Sequence, residues 1–378
     1  MTTKKGQHVQ IKTIDDGRRH RRELWLDDDT QVGDLWVIDY TMRIGTAEVR
    51  MAGIGGVHTE REHRMKGYMR GLFEETVTYM TDEGYDVSML FGIANFYNKF
   101  GYATCVAQHR FTIKTRDAEA AGARTQSLKA RPVESKDMPA IVELYNANNA
   151  VRTCSMVRST EGFTKFEMGT HWGAPVETAL WEDDGGELLG YVVWDRDRTS
   201  VRVAEVAAAD DAVFPTILTT LAQQAVEKRC EEITVFAPPD DPFAEYAQRF
   251  GTEWTIRNSR YSDGMLRIMN QRPFFEKLAP ELARRLSGFK GTVPIALQTD
   301  LGAITLTPER GHITLQDGVA AGAQLALSQD KLMQLILGYR SVRDMLNTPD
   351  VTVTGDAVPM LQALFPRDTA FMWKPDHF

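Results

Sequence analysis

A glycine where a strand gives way to a helix restricts the folds open to a chain, and residues 47–84 carry one: AEVRMAGIGGVHTEREHRMKGYMRGLFEETVTYMTDEG. The first part reads as a strand. Met69, Leu72, Phe73, Val77 and Met80 then recur at helical spacing, with Gly84 as a C-terminal cap. Glycine inside a helix costs up to about 1 kcal/mol relative to alanine, so Gly67 at this join needs a reason. A strand, then Arg-x-x-Gly opening a helix, fits a cradle for pyrophosphate: helix N-termini present unpaired N–H groups, and glycine lets the backbone come close. Arg64, Lys66 and Arg70 would add charge-assisted hydrogen bonds. A βα turn with a solvated basic first turn fits the same letters, and the pattern alone does not choose. The run is neither a Walker loop nor a dinucleotide fingerprint, because the further glycines and the GK[ST] end are missing.

At 378 residues the chain is too long for one ordinary core, so two or three domains are expected. Its 44 Lys and Arg stand against 52 Asp and Glu, a formal charge of −8. That balance speaks against general nucleic-acid binding and suits a cationic small partner. The most basic run, Arg18–Arg22, is flanked by aspartates and reads as a solvated mixed-charge turn. No apolar run reaches membrane-spanning length and no signal peptide is recognisable, so no membrane partner is expected. Cys105, Cys154 and Cys230 form no CxxC pair, from which we expect a reducing cytoplasm, no disulfide frame and no metal site.

Three segments follow one another. Residues 1–125 read as strands, the helix after Gly67, the strand VSMLFGIA, the short helix NFYNKFG and the strand QHRFTIKT, with Asp117–Ser127 as a polar linker. Residues 128–270 repeat that order with little identity, and residues 272–378 open on the amphipathic helix PFFEKLAPELARRL and close on an apolar, hairpin-like tail. The fold class expected is α/β (α+β).

VHTEREHRMKGYMRGL resembles the acetyl-CoA motif of GNAT-type N-acetyltransferases, and NFYNKFGYATC the short helix and strand that complete that fold. The pair of motifs at this spacing is similar to the Eis (enhanced intracellular survival) acetyltransferases over the whole chain. The resemblance implies two tandem GNAT modules with mixed, mostly antiparallel sheets, then a sterol-carrier-protein-like domain; this sequence departs from it in a shortened N-terminal part of the first module. It places Val57, His58 and Thr59 on the strand that binds the pantetheine arm of acetyl-CoA. Arg64, Met65, Lys66, Gly67, Tyr68, Met69 and Arg70 would surround its pyrophosphate, and Gly92 and Ile93 would touch it from the next strand. Met69 stands where the general motif has a small residue. The second module has no Arg-x-x-Gly, and Asp210 and Asp211 occupy the place where phosphate would sit, so it is read as not binding CoA.

Acetyl transfer needs a deprotonated amine, support for an oxyanion and an acid for the leaving thiolate. The resemblance assigns the acid to Tyr97 and the general base to the terminal carboxylate of Phe378. By residue type alone Tyr97 is as well a packing aromatic, since Phe96 and Tyr102 are equally available, and the end FMWKPDHF is either a frayed terminus or a tucked tail. His377 could relay a proton, although a surface histidine is the commoner case, and Cys105 reads as a small buried residue rather than a nucleophile. The function expected is acetyl-CoA-dependent N-acetylation of a primary amine on a cationic acceptor, aminoglycoside or polyamine-like, by direct attack in a ternary complex. Lysine or N-terminal acetylation of peptides, or non-catalytic acyl-CoA or lipid binding, are the alternatives. The family also implies a homo-oligomer, a hexamer.

Overall fold

Strands β1 (Val9–Asp16), β2 (Arg19–Leu26), β3 (Gln31–Ile44) and β4 (Ala47–Thr59) form an antiparallel meander in the computed structural model, which describes residues 9–124 and 128–378. Gly17 and Gly45 turn two of its hairpins at φ 59° and 56°, a region that residues with a Cβ avoid. Helix α1 (Tyr68–Asp82) lays Leu72, Phe73 and Met80 on one face of the meander. The run Arg18–Arg22 is not a solvated turn throughout. Most of it lies in β2, where Arg22 is buried, pairs with Glu75 of α1 and stacks 4.2 Å from the centre of the Tyr79 ring. An alternating strand must turn some positions inward, and here a paired arginine is one of them.

The sheet continues through β5 (Val87–Gly92), parallel to β4, and ends on β6 (Ala103–Val106). Between these two lies β13 (Asp263–Ile268), antiparallel to both, giving the order β1-β2-β3-β4-β5-β13-β6. The strand that follows β6 in sequence, β7 (Gln108–Lys114), joins a second sheet instead, between β11 (Glu232–Val235) and β12 (Glu253–Arg257). That sheet runs β12-β7-β11-β10-β9-β8, with β8 (Val176–Glu182), β9 (Leu188–Asp195) and β10 (Val201–Ala208) completing it. Around it stand α2 (Thr115–Glu119), α3 (Met138–Asn148), α4 (Phe214–Glu227) and α5 (Pro242–Gln248).

A third sheet, β16-β15-β14-β17-β18, holds β14 (Ile295–Thr299), β15 (Gly302–Glu309), β16 (His312–Asp317), β17 (Ala323–Ala326) and β18 (Thr352–Thr354). Its helices are α6 (Gln271–Arg285), α7 (Gln329–Ile336), α8 (Val342–Met345) and α9 (Val358–Leu364). The molecule is thus mixed α/β, and each sheet mixes one parallel pair with antiparallel ones.

The chain divides into two compact units that do not follow the three consecutive segments. The first takes the described residues up to Val106, Ser259–Ala370 and Phe378; the second takes Ala107–Asn258 and Phe371–His377. Two local expectations also change. In the segment read as a polar linker, Ala118 and Ala121 are fully buried in the core of the second unit, because small residues let α2 approach α4 closely; residues 125–127 lie outside the described ones. The tail is no hairpin: after α9 it runs extended to a single 3-10 turn at Lys374–Asp376.

Candidate active site

Parallel pairing of β4 with β5 covers Met51–Ile54 against Val87–Leu90, and both strands then continue unpaired with each other, β4 to Thr59 and β5 to Gly92. A bulge opens β4 at this point. Between Trp36↔Gly55 and Asp34↔His58 one residue of β3 faces two of β4, and Gly56 adopts φ 59°. Two strands that part inside a sheet leave backbone groups facing a slot, which a ligand with amide groups can occupy.

Beyond the slot, a 3-10 turn (Arg61–His63) leads into an exposed loop of Arg64, Met65, Lys66 and Gly67. Gly67 is the N-cap of α1 at φ 89°, and a Cβ placed there would meet nothing within 4 Å. The join is therefore a backbone requirement and an open approach at once. No side chain caps the helix, and its first turn carries no acidic residue. Arg64 bonds back through Nε to the Thr59 carbonyl at 3.1 Å, tying the loop to the end of β4. Met65 is fully exposed at φ 63°, a left-handed conformation unusual for so large a side chain. Tyr68 is buried, and Arg70 points outward. Met69 turns its Cε to within 3.4 Å of where a Cβ on Gly33 would stand, so its bulk is absorbed by the core. Val57 is half-buried, and exposed His58 faces Glu60 at 3.4 Å. These groups fit a pantetheine arm and a pyrophosphate: parted strands, an uncapped helix start and exposed cations. Among the described residues no cluster of three His, Cys, Asp or Glu side chains could hold a metal.

The two faces of the sheet around the slot differ. On the α1 face Tyr97, at the start of the 3-10 turn Tyr97–Phe100, packs 5.2 Å from the Phe73 ring. A Cβ on Gly92 would stand 2.6 Å from Tyr97 Cδ2, so glycine there makes room for this ring, while Ile93 is exposed. Burial pushes the Tyr97 hydroxyl above its ordinary value. Tyr102, the rival ring, is fully buried and donates to Ser88 Oγ at 2.7 Å, and Ser88 donates on to the Ala52 carbonyl at 2.9 Å. It is a structural hydroxyl beneath the paired part of β4 and β5.

On the opposite face lies Phe378. Its ring stacks on Tyr40 (centroids 5.1 Å) and meets Phe91 edge-on (5.6 Å). A Cβ on Gly53 would come within 2.9 Å of that ring, and one on Gly55 within 3.3 Å of the Phe378 carboxyl carbon. Gly53 and Gly55, two apart on β4, thus form a bare track for the last residue. Sequence reading missed the roles of Tyr40, Phe91 and this track; the G-x-G spacing on a strand was the available signal. His377 is held neutral, because burial and Lys374 push its imidazole well below its ordinary value. Asp376 has both oxygens engaged, accepting from Arg158 Nε and the Tyr145 hydroxyl. Cys105 is fully buried.

Residues 12–105 match the acetyltransferase (GNAT) domain family. No curated protein matches the sequence. Among solved structures, a conserved protein of Enterococcus faecalis V583 described as a probable N-acyltransferase aligns at a TM-score of 0.77 and 18% identity, over 98% of this chain and 100% of that one. A GCN5-related N-acetyltransferase from Kribbella flavida aligns at 0.71 and 19%, over 95% and 87%. Eis1 from Mycobacterium abscessus aligns at 0.67 and 14%, over 98% and 100%. At these identities the likeness is one of fold, and it extends across the chain. The segment 12–105 is a GNAT acetyltransferase domain.

Proposed function

We propose that the chain is an acetyl-CoA-dependent N-acetyltransferase of the Eis type, acting on a primary amine of a cationic, aminoglycoside- or polyamine-like acceptor. The observation that carries this reading is the slot between β4 and β5, with Tyr97 against one face and Phe378 against the other. Val57, His58 and Thr59 would lie along the pantetheine arm, with Gly92 and Ile93 opposite. The Arg64–Arg70 turn would receive the pyrophosphate, which the uncapped start of α1 favours. Acetyl-CoA supplies the thioester.

The chain's own groups handle the protons. The acceptor nitrogen forms a bond to the acetyl carbon as the carbon–sulfur bond breaks. Phe378 takes the proton the nitrogen sheds, directly or through a water. A carboxylate near pKa ~3.5 cannot strip an ammonium near ~10, a gap of roughly 9 kcal/mol, so it acts as the C–N bond forms and the nitrogen turns acidic. Tyr97 delivers its proton to the departing sulfur. Burial keeps that hydroxyl protonated at neutral pH, which suits an acid.

One observation favours a second acceptor class. β1 and β2 join through the two residues Gly17 and Arg18, where the family resemblance places helices that roof the acceptor pocket. An open approach suits a lysine or N-terminal amine on a peptide. The third sheet is read, by the same resemblance, as the sterol-carrier-protein-like domain, and the alignment with Eis1 across 98% of the chain supports it. The second module is read as a scaffold: Asp210 caps its own helix start by accepting from the Ala212 N–H at 2.7 Å. The test is thiol release from acetyl-CoA across aminoglycosides, polyamines, lysine peptides and arylamines. Turnover with any amine supports the enzyme reading, and none with all four would leave acyl-CoA or lipid binding.

A further inference from the structure

The second sheet ends on β12, whose outer side has no backbone partner among the described residues. An open strand edge presents N–H and C=O groups that another strand can complete, and chains commonly blunt such edges with proline, lysine, a bulge or a covering segment. At the far edge of this sheet Arg131 covers β8 through a bridge to Leu180. β12 has none of these devices. Its sequence EWTIR holds no proline or lysine, and it pairs with β7 in unbroken register, from Glu253↔Thr112 to Arg257↔Gln108.

The two faces of β12 differ. Trp254 and Ile256 stand opposite Phe111 and His109, both buried residues of β7. Trp254 packs on Phe111 with ring centroids 5.1 Å apart, but Ile256 stays 51% exposed. The apolar layer of the sheet thus runs to its edge and is left uncovered there. Glu253, Thr255 and Arg257 share the other face and are exposed, and the Glu253 carboxylate has no partner among the described residues.

The strand is complementary to itself read backwards. In an antiparallel pair about a two-fold axis at Thr255, Glu253 of each copy meets Arg257 of the other, Trp254 meets Ile256, and Thr255 meets Thr255. Opposite charges, an aromatic beside a β-branched residue, and paired threonines are all favourable cross-strand neighbours. A parallel pair in register would instead set glutamate against glutamate and arginine against arginine.

We propose that β12 docks on β12 of a second copy of this chain, antiparallel about a two-fold axis through Thr255, joining two six-stranded sheets edge to edge. Such a contact uses the same patch on both copies and closes at a dimer. A strand of this length spans only about 17 Å. The interface is therefore small and the dimer weak, with a Kd on the order of 1–100 μM. The proposal is independent of the reading of the active site.

The test is sedimentation velocity of the full chain between about 1 and 300 μM, over which the average mass rises from one chain toward two. Thr255 lies on the axis and meets its own copy. Thr255→Arg and Thr255→Glu each set like charges face to face, and each raises Kd at least about tenfold. An equimolar mixture of the two variants sets arginine against glutamate and brings Kd back to within about threefold of the parent. Thermal melts report the fold of each variant. Should either unfold, Glu253→Arg sets arginine against Arg257 at both ends of the pair and raises Kd by a similar factor. A chain that stays monomeric up to about 300 μM overturns the proposal. So does an assembly of any size that Thr255→Arg and Thr255→Glu both leave intact, and a mixture that fails to reassociate overturns the axis at Thr255.

Discussion

The carboxyl carbon of Phe378 lies 3.3 Å from the point where a Cβ on Gly55 would stand, a tight contact between the last residue and the strand that opens the slot. Bare backbone at Gly55 lets the carboxyl group settle on β4, and any side chain there would push it away.

Under the proposed function, Gly55→Ala therefore moves the carboxylate proposed as the base and leaves the Arg64–Arg70 turn alone. The backbone tolerates alanine, because Gly55 is absent from the left-handed positions. Displacement of a few tenths of an ångström lowers kcat by roughly three- to tenfold, on the scale of ~10²-fold per ~1 Å of misplacement. Acetyl-CoA affinity is unchanged. Deleting Phe378 shifts the carboxylate back by about 3.5 Å onto His377 and also removes the ring from Tyr40 and Phe91, so turnover nearly vanishes. A C-terminal tag has the same effect and an N-terminal tag none. Steady-state kinetics with thermal melts as the folding control decide both.

Tyr97 and Tyr102 separate by what each loses. Tyr97→Phe keeps the packing against Phe73 and removes the proton, so kcat drops by roughly 10²- to 10⁴-fold at unchanged Tm. Tyr102→Phe breaks the buried bond to Ser88 and lowers stability by about 1–2 kcal/mol while kcat holds. The opposite pattern, measured by kinetics and urea unfolding, would exchange the two assignments.

Gly67 cannot be probed cleanly with a glutamate, since φ 89° strains most side chains there. Asn and Asp tolerate left-handed backbone best and differ by one charge. Gly67→Asn weakens acetyl-CoA binding slightly, and Gly67→Asp weakens it at least about tenfold more, by like-charge repulsion of the pyrophosphate. Equal affinities by calorimetry would show that no phosphate lies at this turn.

Glu281 makes part of the first unit sensitive to acid. Burial pushes its carboxyl up, but hydrogen bonds from Arg284, Arg285 and Thr46 outweigh that and hold it at about 2. The folded value lies below the ordinary ~4.3 of an unfolded chain. Its contribution is therefore complete above about pH 4.3 and fades as pH falls toward 2. Glu281→Gln should lower Tm at pH 7 and flatten the decline of Tm below about pH 4.5. Parallel Tm-against-pH curves for the two proteins would refute this.

Part of the first unit was legible because several of its elements carry a local signal, whereas β1 and β2 do not. β-Branched and aromatic residues with turn glycines marked β3 and β4, 3.6-residue spacing marked α1, and Gly67 marked the join of β4 to α1. Partner choice has no such signal: QHRFTIK and DGMLRI both read as strands, yet nothing in either says which sheet it will enter. Strand EWTIR (β12) escaped because only Trp254 is half-buried and its other side chains are exposed. The same limit hid the tail. Asp376 next to His377 looks like a solvated end, and its partners Tyr145, Arg158 and, through Arg158, Glu205 stand more than 170 residues away in sequence.

The place of β13 between β5 and β6 also has a consequence for synthesis. When Val106 leaves the ribosome, the catalytic sheet has all its other strands but lacks the one that closes it, and β5 offers an open edge. At 5–20 residues per second, roughly 8–30 s pass before Ile268 is made. For that interval the edges of β5 and β6 that β13 will cover stand unpaired, and such edges are templates for pairing with another chain.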